Sequence, residues 1–279
     1  MRFFTIILSL CRPLNLLIAI ASVFIMAAII DDVSWMLLIY PCFVLVCYMS
    51  AAYMLNDLID IKADSINKPD RVLVRHQVNR HYILFIVGLL FLIGSLFAMH
   101  LPNQAMHLAL FFALPGIVLY ELFLKRVPLL GNILISLLVG SVFLFIAYSL
   151  ESHTNDALKI MLLAFSLNLL REIVKDIQDI DGDKDSGLYT LPIFIGLSKT
   201  IFSMRVFAIL FIVISFLPMY THTYAWHYIP LMVFLIHVPL LYIIIGLGND
   251  ITPKECATFS NILKLMIING IAIILLSAK

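Results

Sequence analysis

The chain has 279 residues, of which 63% are hydrophobic and 13% charged, and its net charge is +1. A mean hydropathy of +1.07 excludes an ordinary soluble domain. The near-neutral balance, without a basic tail or low-complexity block, gives nothing that points to nucleic acid.

Runs of about 20 apolar residues, enough to cross a bilayer as helix, recur from end to end. Backbone groups in lipid must be satisfied within the segment, so these runs are helices, and the ten-residue alternation of barrel strands is not seen. The expected architecture is all-α and polytopic, a single membrane-embedded domain over 1–279. In chain order, nine spans are expected at approximately 14–30, 35–55, 81–100, 104–122, 129–150, 156–175, 199–218, 226–247 and 258–277. Arg2 and Arg12 precede the first run, which opens at Leu14 without an A-x-A cleavage site. With further spans behind it, that run reads as a transmembrane helix and not a signal peptide. Breaks fall at Asp31-Asp32, Leu101-Pro102-Asn103, Arg126-Val127-Pro128, Glu151 to Asp156, and Gly248 to Pro253. Cys11, Cys42, Cys47 and Cys256 have no CxxC spacing and read as free thiols.

Loops between spans 2 and 3, 4 and 5, 6 and 7, and 8 and 9 hold nearly all the Lys and Arg; of 18, only Lys159 and Lys279 fall on the other side. The positive-inside rule places the N-terminus in the cytoplasm and the C-terminus outside, as expected for a multi-pass protein of the cell's inner membrane.

Two segments on the cytoplasmic side carry the pattern D-x-x-D-x-x-x-D: Asp57, Asp60, Asp64 and Asp176, Asp179, Asp183, offset by 119 residues. Ten of the 17 acidic residues lie between Asp57 and Asp70 or between Glu172 and Asp185. The offset equals four spans, which suggests a loose internal repeat. On a helix, positions i, i+3 and i+7 share a face, so each set would form one acidic stripe. Such stripes repel unless something positive sits between them, and oxygen-only ligands favour a hard cation, Mg²⁺ or Ca²⁺. Mg²⁺ pairs one or two carboxylates with substrate phosphates. A solvated acidic helix end is the plain alternative. It would not need the spacing twice, nor the surrounding Arg71, Arg75, Lys125, Arg126, Arg171, Lys175 and Lys184. Carboxylates for metal and cations for an anion together describe a diphosphate site.

The first segment resembles the NDxxDxxxD signature of the UbiA-type membrane prenyltransferase superfamily. The resemblance continues through Asn67, Pro69, Arg71 and Leu73, while Val72 stands where that family usually has proline. The second resembles its KDxxDxxGDxxxGxxTLP form at Lys175, Asp176, Asp179, Gly182, Asp183, Gly187, Thr190, Leu191 and Pro192. Tyr120 with Lys125-Arg126 is similar to its third element. The resemblance covers the whole chain. It implies a helix bundle with a cytoplasmic cap over the active site, and Mg²⁺-dependent transfer of a prenyl group from an allylic diphosphate to a lipophilic or membrane-associated acceptor. It implies Asn56, Asp60, Asp64, Asp179 and Asp183 as the metal and diphosphate set, with Asp57 and Asp176 supporting. Arg71, Lys125 and Lys175 would contact diphosphate oxygens, and Tyr120 would donate a hydrogen bond to them.

For the acceptor, Arg12-Pro13-Leu14-Asn15 and the run Leu124 to Asn132 resemble the archaeal-type digeranylgeranylglyceryl phosphate synthase branch. That branch implies geranylgeranyl transfer to the hydroxyl of geranylgeranylglyceryl phosphate, with Arg12 and Asn15 near the acceptor. The second motif also resembles enzymes that prenylate aromatic acceptors such as 4-hydroxybenzoate, homogentisate or a dihydroxynaphthoate. A CDP-alcohol phosphatidyltransferase would need one contiguous D-G-x-x-A-R block, which neither segment has. A cation-coupled transporter would place its acids near the midplane and not at one face. His222 and His227 lie in an external aromatic loop that reads as an interfacial belt. His100, His107, His153 and His237 show no partner pattern.

Overall fold

A computed structural model of the chain describes residues 3–29, 35–76, 78–152, 154–220 and 224–277. His153 and His222 lie outside them. The described residues are almost wholly helical, with no strand element among them. Among the described residues, seven helices are long and apolar enough to cross a membrane, and the chain is a multi-pass integral membrane protein. An eighth span arises if the bent pair Phe4–Leu10 and Pro13–Ala28 counts as one. The remaining expected span corresponds to Thr154–Gln178, whose 25 residues reach about 37 Å at 1.5 Å per residue. Its Lys159, Arg171, Glu172 and Lys175 dilute the apolar run.

Contacts divide the chain into two compact units. One comprises Met1–Lys125, Phe145–Ser152 and Asp181–Leu188; the other Arg126–Leu144, His153–Ile180 and Tyr189–Lys279. In the first, the helix Ile39–Ile59 runs against Arg80–Ala98. Gly94 permits the approach: a Cβ there would meet the Tyr48 ring at 2.7 Å. The Tyr48 hydroxyl then reaches Ser95 Oγ at 2.9 Å. Ile6, Leu10, Ala51, Met54, Leu58, Ile83 and Val87 form the core of this unit. The sequence reading missed the helix Phe3–Leu10. It bends 53° from its successor at Arg12, which has a left-handed backbone (φ 51°) and precedes a proline that disfavours helix there.

In the second unit, Thr154–Gln178 packs against Pro253–Ser277 and Leu197–Ile214. A cavity of about 30 Å³ remains, lined among others by Phe143, Leu167, Phe211, Tyr228 and Gly270. His237 has a partner after all: its Nε2 lies 2.8 Å from Ser215 Oγ, in a buried group closed by the Tyr228 hydroxyl donating to Ser215 O. The pairing joins positions 22 residues apart, which no local spacing reveals.

The two halves share a further local feature. Leu108–Ala113 and Val233–His237 are π-helical, and each runs into a helix with proline in its first turn, Pro115 and Pro239. A wide turn relieves the missing proline donor and its ring clash.

Candidate active site

Each acidic motif straddles a helix break, and this corrects the expectation of one continuous stripe. Ile39–Ile59 ends at Asp60 (φ −86°, ψ 5°), and Ile61–Asn67 begins after it. The Asp60 amide donates to Asn56 O at 2.9 Å, and its carbonyl accepts from the Asp64 amide at 2.8 Å. Thr154–Gln178 likewise ends before Asp179, whose amide donates to Lys175 O at 2.9 Å, and Ile180–Asp185 follows. The middle aspartate is therefore the seam in both copies, as the internal repeat would require.

The residues after each break have local reasons. Lys68-Pro69-Asp70-Arg71 is a β-turn closed by the Arg71 amide on Lys68 O at 3.0 Å, with proline at its favoured second position. It returns Arg71 towards Asp57. Gly187 has φ 73°, and the amides of Gly187 and Leu188 bond to Lys184 O and Asp183 O, a Schellman end that favours glycine. Thr190 and Pro192 then open the helix Leu191–Ile195. Gly182 is required by a close approach: its amide donates to Asn67 Oδ1 at 3.0 Å, and a Cβ would lie 2.4 Å from Asn67 Nδ2. Lys62 adds an ion pair to Asp185 at 3.4 Å. The tails of the two motifs thus meet inside the first unit.

Around them, charges are paired. Asp57, 7% exposed, accepts from both Arg12 and Arg71. Arg71 Nη1 also lies 3.8 Å from Asp64 Oδ2. The Arg12 guanidinium sits 4.7 Å above the Tyr53 ring, a cation–π contact. Lys125 donates to Asp60 Oδ2 and lies 3.9 Å from Glu121 Oε2. Burial alone would pull the Lys125 ammonium down, but Asp60 and Glu121 outweigh it and hold it above the ordinary lysine value. Burial pushes the Asp64 carboxyl up against the pull of Arg71 and Lys68, and nearby Asp60 and Asp57 add to the rise. Asp183 is also buried.

Sequence reasoning missed Glu121, which is 4% exposed and accepts from Asn56 Nδ2 at 3.2 and 3.1 Å. Its one signal is a carboxylate four residues before Lys125 at the end of an apolar helix. Tyr120, beside it, and Asn15, one turn after Arg12, are half-buried.

The second unit holds Lys175, Asp176 and Asp179. There Glu172 accepts from Lys175 Nζ at 2.7 Å and from Arg171 Nη1 at 3.0 Å. Asp176 Oδ2 accepts from Asn132 Nδ2 at 2.9 Å. Among the described residues, no three His, Cys, Asp or Glu side chains form a ready cage for a metal ion.

Comparison with known proteins follows these motifs. Two relatives, the digeranylgeranylglyceryl phosphate synthases of Methanosarcina mazei and Methanopyrus kandleri, are 38% and 37% identical over 183 and 180 residues. Those stretches cover 65% and 63% of this chain, and the chain spans only 63% and 65% of the two relatives' own lengths. Among solved structures, one described as giving insight into digeranylgeranylglyceryl phosphate synthase in membranes superposes with a TM-score of 0.78 at 24% identity, covering 99% of this chain and 98% of that one. A UbiA homologue from Archaeoglobus fulgidus bound to DMAPP and Mg²⁺ gives 0.72 at 18%, covering 96% and 98%. These two share the fold. The model of the UbiA prenyltransferase family matches residues 15–268, nearly the whole length over which the motifs and helices are laid out, and the chain belongs to that family.

Proposed function

We propose that this chain transfers a geranylgeranyl group from its allylic diphosphate to the free hydroxyl of geranylgeranylglyceryl phosphate. The observation that carries the reading is the charge cluster of the first unit, where Asp57, Asp60, Asp64 and Glu121 are matched by Arg12, Arg71 and Lys125. Family membership and the names of the curated relatives support it.

The donor set fits a hard divalent cation. It is oxygen-only, and the Asp64 carboxyl, raised by burial, gains from a cation beside it. Mg²⁺ needs only one or two carboxylates when substrate phosphates complete its shell. Asp60 and Asp64, with Asp179 and Asp183, are the proposed principal ligands, and Asn56, Asp57 and Asp176 the supporting ones. Mg²⁺ would supply a Lewis acid for charge growing on the leaving diphosphate.

The chain's own residues do the rest. Arg71, Lys125 and Lys175 neutralise diphosphate oxygens, and each is already held by a carboxylate, so little orientation is lost when the anion arrives. Tyr120 donates a hydrogen bond to the same group. The allylic C–O bond breaks with its electron pair going to diphosphate. The acceptor oxygen bonds the freed carbon and passes its proton to the departing diphosphate. Arg12 and Asn15 orient the acceptor's phosphate. The chain acts as a single membrane-embedded prenyltransferase domain over 1–279, with the site and N-terminus cytoplasmic and the C-terminus outside, as the charge bias of the loops supports.

The test is purified protein with labelled geranylgeranyl diphosphate, Mg²⁺ and a panel of geranylgeranylglyceryl phosphate, 4-hydroxybenzoate, homogentisate and a dihydroxynaphthoate. Transfer to the glyceryl phosphate is expected. Preferential turnover of an aromatic acceptor would overturn the assignment. Asp60→Ala and Asp179→Ala should each abolish Mg²⁺-dependent diphosphate release; full turnover in either would sink the metal assignment.

A further inference from the structure

We propose that Glu121 is a positioning residue that fixes the orientation of the Asn56 carboxamide. Glu121 is next to last in the helix Leu114–Leu122, and its carboxylate is buried. A carboxylate taken out of water is costly unless its oxygens are bonded. Both are bonded here, and by one group: Asn56 Nδ2 lies 3.2 Å from Oε1 and 3.1 Å from Oε2, with Lys125 Nζ 3.9 Å from Oε2.

The Asn56 side chain presents its NH₂ to Glu121, whose two oxygens both accept from it. The planar carboxamide thereby turns Oδ1 away from Glu121. Asn56 stands one turn before Asp60, and its backbone carbonyl carries the Asp60 amide at 2.9 Å. Glu121 thus holds the single neutral oxygen donor of the first motif in one orientation beside Asp60, and the same carboxylate neighbours the Lys125 that grips Asp60. Glu121 acts through Asn56 and does not itself contact substrate. The inference rests on the Mg²⁺–diphosphate reading of the site.

The experiment uses the full chain in detergent, with geranylgeranyl thiolodiphosphate as a non-transferring probe. Its Mg²⁺-dependent binding and kcat are measured for Glu121→Ala, Glu121→Gln, Asn56→Ala and the double Asn56→Ala/Glu121→Ala variant. Loss of a partner that orients a ligand typically lowers metal affinity about 10- to 100-fold, and Glu121→Ala should fall in that range. Glutamine keeps one acceptor for the Asn56 amide, so Glu121→Gln should recover to within about threefold of wild type, leaving the range set by ligand orientation. The double variant should be no worse than Asn56→Ala, because a group acting through another adds nothing once that other is gone. Additive losses, unchanged Mg²⁺ affinity in Glu121→Ala, or a glutamine variant as damaged as the alanine one would each overturn the proposal. A wild-type protein that binds the probe but transfers to no acceptor would refute the proposed reaction, while the binding series would still decide the role of Glu121.

Discussion

Asp64 concentrates the conflict between stability and function in one side chain. Burial raises its carboxyl above the ordinary value of 3.8. A group whose folded value is raised adds stability below its unfolded value and loses it as pH climbs through the folded one. Ionised Asp64 is therefore a burden on the fold at neutral pH. Asp64→Asn should melt higher than wild type at pH 7, and that advantage should shrink as pH falls towards 4, while the proposed prenyl transfer drops by at least about 100-fold. Thermal melts across pH, paired with turnover, check both halves. At this scale the sequence was readable where types repeat: three aspartates at the same spacing twice stand out in an oily chain. Glu121 was not readable, because one acid near a helix end looks like an ordinary terminal charge and its partner Asn56 is 65 residues away. Arg12 was legible as a cation, but its grip on Asp57, 45 residues away, was not.

The helices and turns were half legible. Spacing i, i+3, i+7 implies one stripe, yet Leu58-Ile59-Asp60-Ile61 and Ile177-Gln178-Asp179-Ile180 break with neither glycine nor proline to mark the place. The glycines inside the motifs, by contrast, have strict local reasons. Gly182→Ala would drive a methyl to within 2.6 Å of all three terminal atoms of the Asn67 amide. Overpacking of this kind costs about 1–3 kcal/mol, and Asn67→Ala in the same chain should return part of it by opening the space. Melting temperatures of the single and double variants measure this. Gly270 is the opposite case: it lies in the helix Pro253–Ser277 and borders the small cavity, and an added Cβ meets nothing within 4 Å. Gly270→Ala should stabilise the protein by about 0.5–1 kcal/mol through helix propensity alone, seen as a higher melting temperature in detergent.

Across the whole molecule, hydropathy and loop charge carried most of the architecture. The span expected at 156–175 was drawn from its apolar run, and Thr154–Gln178 is the helix found there, even though its own charges weaken that signal. The short helix before Arg12 escaped because eight residues are too few to register as a span. Orientation has a direct measurement. In a background lacking the four native cysteines, Lys62→Cys and Lys254→Cys should react with an impermeant maleimide only from the cytoplasmic face, and Trp226→Cys only from the other. Labelling of all three from one face would reverse the topology argument. Finally, Asp57 ties a loop before the first long helix to one after the second, through Arg12 and Arg71. Losing the carboxylate alone leaves two guanidiniums facing each other, and losing either arginine leaves the other pair intact. For the stability of the fold the three positions are thus epistatic in a directional way: a change at Asp57 should lower the melting temperature less in a chain that already lacks Arg12 or Arg71 than in the wild type.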